Sequence, residues 1–83
     1  LLIEFLGSAF LVFIILSIAH PLAIGLAVAL ITYIGGPHSG GHFNPVVSAV
    51  MASMGELSMS DLAIFSIAQI MGGFVGLEIS KRL

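Results

Sequence analysis

Few side chains in this sequence could take part in chemistry, and they fall into two groups. Glu4 and Gln69 lie inside apolar segments, whereas His38 and His42 lie in a glycine-rich stretch that leads to Asn44. Two histidines four residues apart could bind a metal, but the Ser-Gly-Gly between them is not a helical scaffold and no third ligand stands nearby. We therefore expect no metal site.

Enzymatic chemistry is not expected either. The sequence has no cysteine, so thiolate nucleophiles, thiolate metal sites and disulfides are excluded. It has no serine, histidine and acid on a plausible scaffold, and no cofactor motif. We expect a protein that is not an enzyme and needs no cofactor.

The two polar residues in apolar segments have several interpretations. A carboxylate within a membrane is costly and needs hydrogen-bond donors. Glu4 could hold the backbone N–H groups of a buried loop, couple transport to protons, or lie near the membrane interface. Gln69 could hydrogen-bond the same loop, or it could join two helices without a role in transport. The residues alone leave these alternatives open.

Composition places the chain in a membrane. Of its 83 residues, 59% are hydrophobic and 7% are charged, and so few charges cannot cover the surface of a water-soluble domain. The mean hydropathy of +1.25 agrees with this. With two basic residues, the chain has no patch for nucleic acid. We expect an integral protein of a plasma or inner membrane.

Three apolar segments are candidates for helices that cross the bilayer: residues 1–19, 21–35 and 60–80. His20-Pro21 separates the first two, because the residue before a proline avoids the helical region. Gly35-Gly36-Pro37 predicts the end of the second. Small residues four apart favour close helix packing, and the sequence has two such pairs, Gly72 with Gly76 and Gly25 with Ala29.

Residues 37–55, between the second and third segments, do not fit a helix that crosses the membrane. Asn44 is a favourable N-cap and Pro45 a favourable first helical residue, so a helix should begin there and end near Gly55. About ten residues span only ~15 Å, roughly half a bilayer. This predicts a re-entrant loop and half-helix, buried in protein or lining a wet cavity. The alternative, an interfacial helix, lacks the basic face that holds headgroups.

The stretch SGGHFNPVVS, residues 39–48, resembles the SGAHxNPAVT motif of the aquaporin, or major intrinsic protein, family. Three more stretches are similar, in order, to the family's first three helices: IEFLGSAFLVF to AEFxGTxxLVF, AIGLAVALITYIGG to AFGLxxxxxxxxxG, and IAQIMGGFVG to AQxxGAxxG. The four signals cover nearly the whole chain. The resemblance implies an all-α membrane protein with three transmembrane helices and one re-entrant half-helix, half of an aquaporin-like bundle.

The resemblance also implies roles for individual residues. Asn44, Pro45 and Val46 would form the pore motif, in which the Asn44 amide donates a hydrogen bond to a passing water or hydroxyl. Glu4 would hold the N–H groups of the buried loop, and Gln69 would support it. The pore-lining acceptors would be the backbone carbonyls of Gly40, Gly41, His42 and Phe43.

The sequence departs from the family at the selectivity filter. Ile24 stands where the family has an aromatic residue, and Val47 stands where an arginine follows the family's second motif; Gly41 is the third filter position. Val46 replaces the usual alanine of the central motif. We expect an apolar filter, wider than that of a strict water channel, that admits small neutral solutes such as glycerol.

The resemblance covers one of the family's two inverted repeats, so a pore would need a second half. That half could be an inverted copy of this chain, in a homo-oligomer that could hold four pores, or a different half-repeat chain. Lys81 and Arg82 are the only basic residues. They favour a cytoplasmic C-terminus, opposite to the family's first half. Because two charges give only a weak bias, a dual topology stays open as an alternative.

The expected function is a passive channel for water or small neutral solutes in a lipid membrane. One alternative is a small dual-topology transporter that is coupled to protons through Glu4. It predicts dependence on a pH gradient but does not explain the half-helix after Asn44. The other alternative is a non-conducting half-channel fragment.

Overall fold

The computed structural model describes all 83 residues as four α-helices. They are α1 (Leu2–Ser17), α2 (Pro21–Ser39), α3 (Pro45–Ser53) and α4 (Met59–Arg82). The prediction of an all-helical protein is therefore confirmed. The short α3 lies within the predicted half-helix, and α1 and α4 begin and end within two residues of the expected bounds.

Three of the helices begin at a side-chain cap that accepts a hydrogen bond from a free backbone N–H group. The bonds are Leu22 N to His20 Nδ1 (3.1 Å), Val46 N to Asn44 Oδ1 (2.8 Å) and Asp61 N to Ser58 Oγ (3.1 Å). Proline follows the first two caps, where its missing N–H costs no helical hydrogen bond. The local sequence therefore fixes where α2, α3 and α4 begin.

The end of α2 lies four residues beyond the expected end at residue 35, so the expected stop at Gly35-Gly36-Pro37 does not occur. Pro37 lies inside the helix and removes only its own N–H donor. Gly40 N still donates to Gly36 O at 2.9 Å, so the helix continues past the proline. It ends at Gly40, whose φ of +90° is left-handed, the conformation that glycine commonly provides after a helix.

Helix α1 is central to the packing. It contacts α2 and α4, and α3 packs on α4, whereas α2 and α3 do not contact each other. At the α1–α4 crossing, a Cβ added to Gly72 would lie 2.2 Å from Phe5 O, and one added to Gly76 would lie 2.4 Å from Ala9 O. Gly25 has no atom within 4 Å of such a Cβ, so the second small-residue pair makes no helix contact in this chain.

The distribution of polarity is the reverse of that in a water-soluble protein. The largest fully buried side chains are those of Glu4 and Ser48, while many large apolar side chains are exposed. Such an apolar exterior fits a lipid environment. Helices α2 and α4 are long and apolar enough to cross a membrane, whereas α1, with 16 residues, is shorter than the other two.

Candidate functional site

The loop that joins α2 to α3, residues 40–44, turns the chain sharply back into the helical bundle. Gly40 and Gly41 have φ values of +90° and +67°, and Phe43 has a φ of 52°. Glycine adopts this left-handed conformation readily, but a residue with a bulky side chain does so only when its surroundings enforce it. Two kinds of contact hold Phe43 in this strained position.

The first contact is a slot for the Phe43 ring, which is 7% exposed. The slot exists because Gly7 of α1 and Gly35 of α2 have no side chains. A Cβ added to Gly7 would lie 2.1 Å from the Phe43 ring, and one added to Gly35 would lie 2.7 Å from it. The ring therefore anchors the loop between the two helices.

The second contact is the carboxylate of Glu4, which is 0% exposed. Its Oε1 accepts hydrogen bonds from Phe43 N at 2.8 Å and from Gln69 Nε2 at 2.8 Å. Its Oε2 accepts from His42 N at 3.3 Å and from Ser39 Oγ. Four donors thus point at the two oxygens, and they supply the charge-assisted bonds that a buried carboxylate needs. Glu4 ties α1 to the loop and to α4.

Gln69 and Ser48 extend this arrangement toward the His42 ring. Gln69 Nε2 also donates to Ser48 Oγ at 2.9 Å, and Ser48 Oγ lies 2.9 Å from His42 Nδ1. The His42 ring centroid is 5.3 Å from that of Phe65 on α4. Gln69 Oε1 is buried and has no partner. We call Glu4, Ser39, His42, Ser48 and Gln69 the polar cluster.

The start of α3 is free of such partners. The side chain of Asn44 is exposed and caps the helix through its oxygen, so its amide N–H groups remain available. Val46, in the first turn of α3, is 69% exposed. The unpaired N–H groups at a helix N-terminus give it a partial positive charge. This end of α3 can therefore present hydrogen-bond donors to a small molecule.

The loop carbonyls divide into two kinds. Those of Gly40, Gly41 and His42 accept no hydrogen bond within the chain, so they are available to a ligand. The Phe43 carbonyl accepts a hydrogen bond from Ser8 Oγ at 3.4 Å. The chain therefore provides three free acceptors beside the donors at the start of α3, and the fourth expected pore-lining carbonyl is engaged with α1.

The three expected filter positions are not brought together by a single chain. Ile24 is half-buried on α2, and Val47 is 36% exposed on α3. These two helices do not contact each other. Gly41 lies against α2, because an added Cβ would be 3.4 Å from the Gly36 backbone.

Sequence reasoning did not assign several residues that build the site. Ser39 and Ser48 are members of the polar cluster, and Gly7 and Gly35 form the slot for Phe43. The two serines are the first and last residues of the SGGHFNPVVS motif, and the position of Ser48 one turn after Asn44 is the sequence signal for its buried hydroxyl. The slot glycines have no such signal, because small residues are frequent in any membrane helix.

Comparison with known proteins gives consistent matches. The family model described as Major intrinsic protein matches residues 15–83. The chain is 40% identical to an aquaglyceroporin, AqpS, of Rhizobium meliloti over 80% of this chain and 28% of that protein. It is 37% identical to aquaporin Z of Brucella melitensis over 92% of this chain and 40% of that protein.

A third relative, glycerol uptake facilitator protein-like 6 of Lactiplantibacillus plantarum, is 39% identical over 89% of this chain and 38% of its own length. The chain thus spans less than half the length of the curated relatives it matches. No solved structure matches it. Because the family model covers most of the chain and begins within α1, the chain belongs to the major intrinsic protein family, whose aquaporins are channels and not enzymes.

Proposed function

We propose that the chain is one half of a passive transmembrane channel for water and small neutral solutes such as glycerol, and that a second half-repeat completes the pore. The observation that carries this proposal is the buried Glu4 carboxylate, which takes up the N–H groups of His42 and Phe43. It satisfies the inner side of the loop and leaves the Gly40, Gly41 and His42 carbonyls free. The relatives named aquaporin, aquaglyceroporin and glycerol uptake facilitator support the same class of permeant.

In this proposal the 83 residues form a single half-repeat, in which α1, α2 and α4 cross the membrane and α3 is re-entrant. Helices α2 and α4 have 19 and 24 residues, which correspond to roughly 28 Å and 36 Å against a hydrocarbon core of ~30 Å. The α2–α3 loop is compatible with membrane depth because its backbone is buried in protein or faces a wet cavity.

The pore motif would be Asn44, Pro45 and Val46. A permeant hydroxyl accepts a hydrogen bond from the Asn44 amide and donates to the free loop carbonyls. Water and polyols can do both at once. The positive end of α3 disfavours cations and a proton relay, so the proposed channel is selective for neutral molecules.

If the second half is a copy of this chain, the filter would be formed by Ile24, Gly41 and Val47 of the two copies, and it would be apolar and wider than that of a strict water channel. This follows from the absence of an arginine and of an aromatic residue at these positions. Val47→Arg should therefore reduce glycerol permeability more than water permeability. Stopped-flow measurement of both permeabilities is the test. If both permeabilities stayed unchanged, Val47 would be excluded as a filter residue.

The second half would be either an inverted copy of this chain or a separate half-repeat chain. Four such pores could assemble together, as an oligomer in a plasma or inner membrane. Lys81 and Arg82 provide the only positive charges and give a weak orientation bias. Two orientations of the same chain are therefore compatible with the sequence. Tagging both termini tests this, and a single orientation for every copy would exclude pairs of inverted copies.

The function is tested by osmotic shrinkage of liposomes that carry the purified chain, followed by stopped-flow light scattering with water and then glycerol. We expect fast shrinkage with a low activation energy, and its loss in Asn44→Asp, because the new carboxylate removes the amide donor. Asp61→Glu, at an exposed acidic position that does not line the cleft beside the loop, is the control. Rates equal to those of empty liposomes would exclude a pore made from copies of this chain alone.

A further inference from the structure

We propose that the His42 side chain presents its Nε2–H as a hydrogen-bond donor to the lumen, and that Ser48 and Gln69 are the positioning residues that fix this tautomer. The part of the proposal that concerns the lumen rests on the channel function proposed above. The tautomer itself follows from the directions of the hydrogen bonds in the polar cluster. The direction of each hydrogen bond follows from the one before it, starting from the Glu4 carboxylate, which can only accept.

The first step is the orientation of the Gln69 amide. Gln69 lies with one terminal atom 2.8 Å from Glu4 Oε1 and 2.9 Å from Ser48 Oγ. A carboxylate oxygen accepts and cannot donate. The terminal atom next to Glu4 must therefore be the amide nitrogen, because an amide oxygen there would face the carboxylate without a shared hydrogen. The second N–H of this nitrogen then points at Ser48 Oγ.

The second step is the direction of the Ser48 hydroxyl. Its oxygen accepts from Gln69 Nε2, so its own hydrogen needs a different partner. Ser48 is 0% exposed, so bulk water cannot serve. The other polar atom within hydrogen-bond distance is His42 Nδ1, at 2.9 Å. The hydroxyl therefore donates to Nδ1.

The third step assigns the proton of the His42 ring. A ring nitrogen that accepts a hydrogen bond carries no hydrogen, so the proton lies on Nε2. The opposite tautomer would put an N–H on Nδ1, facing Ser48 Oγ. The Ser48 hydrogen would then be buried without an acceptor, which is unfavourable. The polar cluster thus acts as a one-way chain of donors from Gln69 through Ser48 to His42.

The fourth step concerns the surroundings of Nε2. This atom has no hydrogen-bond partner in the chain, and it is not among the enclosed unpartnered atoms. It lies beside Gly40, where an added Cβ would be 3.0 Å away, so the glycine leaves this edge of the ring uncovered. His42 and Gly40 help to line an open cleft of about 480 Å³. Water can therefore reach the Nε2–H.

The consequence is a specificity role for the His42 side chain. The carbonyls of Gly40, Gly41 and His42 offer acceptors, and the Nε2–H offers a donor close to them. A permeant that both donates and accepts, such as water or a polyol hydroxyl, satisfies both kinds of group. A cation cannot accept the N–H bond and is disfavoured at this level of the pore.

Nitrogen NMR of the chain in lipid bilayers tests the tautomer directly. His20→Asn, which keeps an N-cap at the start of α2, combined with His38→Gln leaves His42 as the single histidine, and ¹⁵N-histidine then reports on that ring alone. We expect a hydrogen-bonded, unprotonated Nδ1 and a protonated Nε2 whose hydrogen exchanges with water. A protonated Nδ1 as the main form, or an Nε2–H shielded from water, would overturn the proposal.

Two variants test whether Ser48 sets the tautomer. Ser48→Thr keeps the hydroxyl and should keep the Nε2–H form, whereas Ser48→Ala should raise the Nδ1–H form from a minor to a comparable population. Identical spectra for the two variants would overturn the positioning role. If Ser48→Ala does not fold, the spectra of the parent chain and of Ser48→Thr still decide the tautomer. Failure of the channel function would appear separately, as parent osmotic rates equal to those of empty liposomes.

Discussion

At the residue scale, Glu4 explains why a carboxylate stands in an apolar helix. Its two oxygens accept from donors on the loop, on α2 and on α4, and it is 0% exposed. A carboxylate that couples transport to protons needs a route by which protons reach it. The geometry of Glu4 instead favours a supporting role, since its oxygens are already occupied.

Glu4→Gln separates these two roles. Each oxygen of Glu4 faces two donors, so an amide NH₂ at either place opposes two hydrogen bonds at once. We expect a loss of unfolding free energy of about 1–3 kcal/mol for each buried donor left without an acceptor. Osmotic permeability should fall to the same extent with and without a pH gradient. Thermal unfolding in detergent and stopped-flow shrinkage are the measurements.

The matched control is Asp61→Asn, because Asp61 is exposed, its side chain makes no hydrogen bond in the chain, and it does not line the cleft beside the loop. This change should leave both quantities within experimental error. If Glu4→Gln retained full stability but lost transport only when a pH gradient drives it, Glu4 would be a proton-coupling residue. The supporting role would then be excluded.

A second prediction at this scale concerns the slot for Phe43. Gly7→Ala would place a methyl group 2.1 Å from the Phe43 ring. Overpacking of this kind typically lowers the unfolding free energy by about 1–3 kcal/mol. Gly7→Ala should therefore lower the thermal midpoint, and the smaller side chain of Phe43→Ala should recover part of the loss in the double variant. Gly25→Ala, with open space around its Cβ, is the control. Additive losses in the double variant would argue against the slot.

Some residues of the site can be predicted from local sequence, whereas others can be recognised only from the packed fold. Asn44 and Pro45 are local helix-start signals, and their positions require no knowledge of the fold. Glu4 has three interpretations in isolation, and only the family resemblance favours one of them. Its partners lie 35 to 65 residues away along the chain, so they become neighbours only once the helices have packed.

At the element scale, the α1–α4 crossing depends on two glycines one turn apart. Gly72 and Gly76 let the backbone carbonyls of Phe5 and Ala9 come close to α4. Close approach of this kind is how helices associate in lipid, where apolar side chains gain little by leaving an equally apolar solvent. The same crossing brings Gln69 of α4 next to Glu4 of α1. Helix packing and the polar cluster are therefore coupled.

Gly72→Ala tests this coupling against its neighbour. The added methyl would lie 2.2 Å from Phe5 O, whereas in Gly73→Ala it would lie 3.5 Å from Val12 Cγ2, an ordinary contact. Gly72→Ala should cost at least the ~1–3 kcal/mol of ordinary overpacking and should also lower osmotic permeability. Gly73→Ala should do neither. Equal effects of the two changes, measured by thermal unfolding and light scattering, would contradict the close crossing.

The start of α3 can be predicted from the sequence more accurately than the end of α2. The start of α3 is marked by Asn44 and Pro45, and the structure begins it there. Gly35-Gly36-Pro37 predicts an end of α2 that is four residues too early. In the structure Gly40 ends the helix, and the hydrogen bond from Gly40 N to Gly36 O spans the proline. A proline near a helix end removes one donor, and the glycine after it decides where the chain turns.

At the scale of the whole molecule, the surface that we propose to line the pore is exposed in the single chain. Asn44 and Val46, at the start of α3, are exposed, Val46 by 69%, and α2 does not contact α3. An exposed apolar residue beside free polar groups fits a surface that a second half covers. In the proposed topology of three crossings, the two ends of one half-repeat lie on opposite sides of the membrane. This last point makes the proposed inverted pair directly testable.

A head-to-tail fusion of two copies should conduct as one molecule. Because each copy crosses three times in the proposed topology, the second copy of the fusion enters from the opposite side and is inverted without further engineering. We expect the osmotic rate per copy of the fusion to be independent of the protein-to-lipid ratio. The rate per copy of the separate chain should fall on dilution, since two chains must meet to complete a pore.

A second fusion supplies the control. One additional transmembrane helix between the copies makes the number of crossings before the second copy even, so both copies then have the same orientation. Their α3 helices would no longer meet N-terminus to N-terminus. At high dilution, liposomes that carry this fusion should therefore shrink no faster than empty liposomes. If both fusions conducted equally at that dilution, orientation would not matter, and the inverted pair would be excluded as the conducting unit.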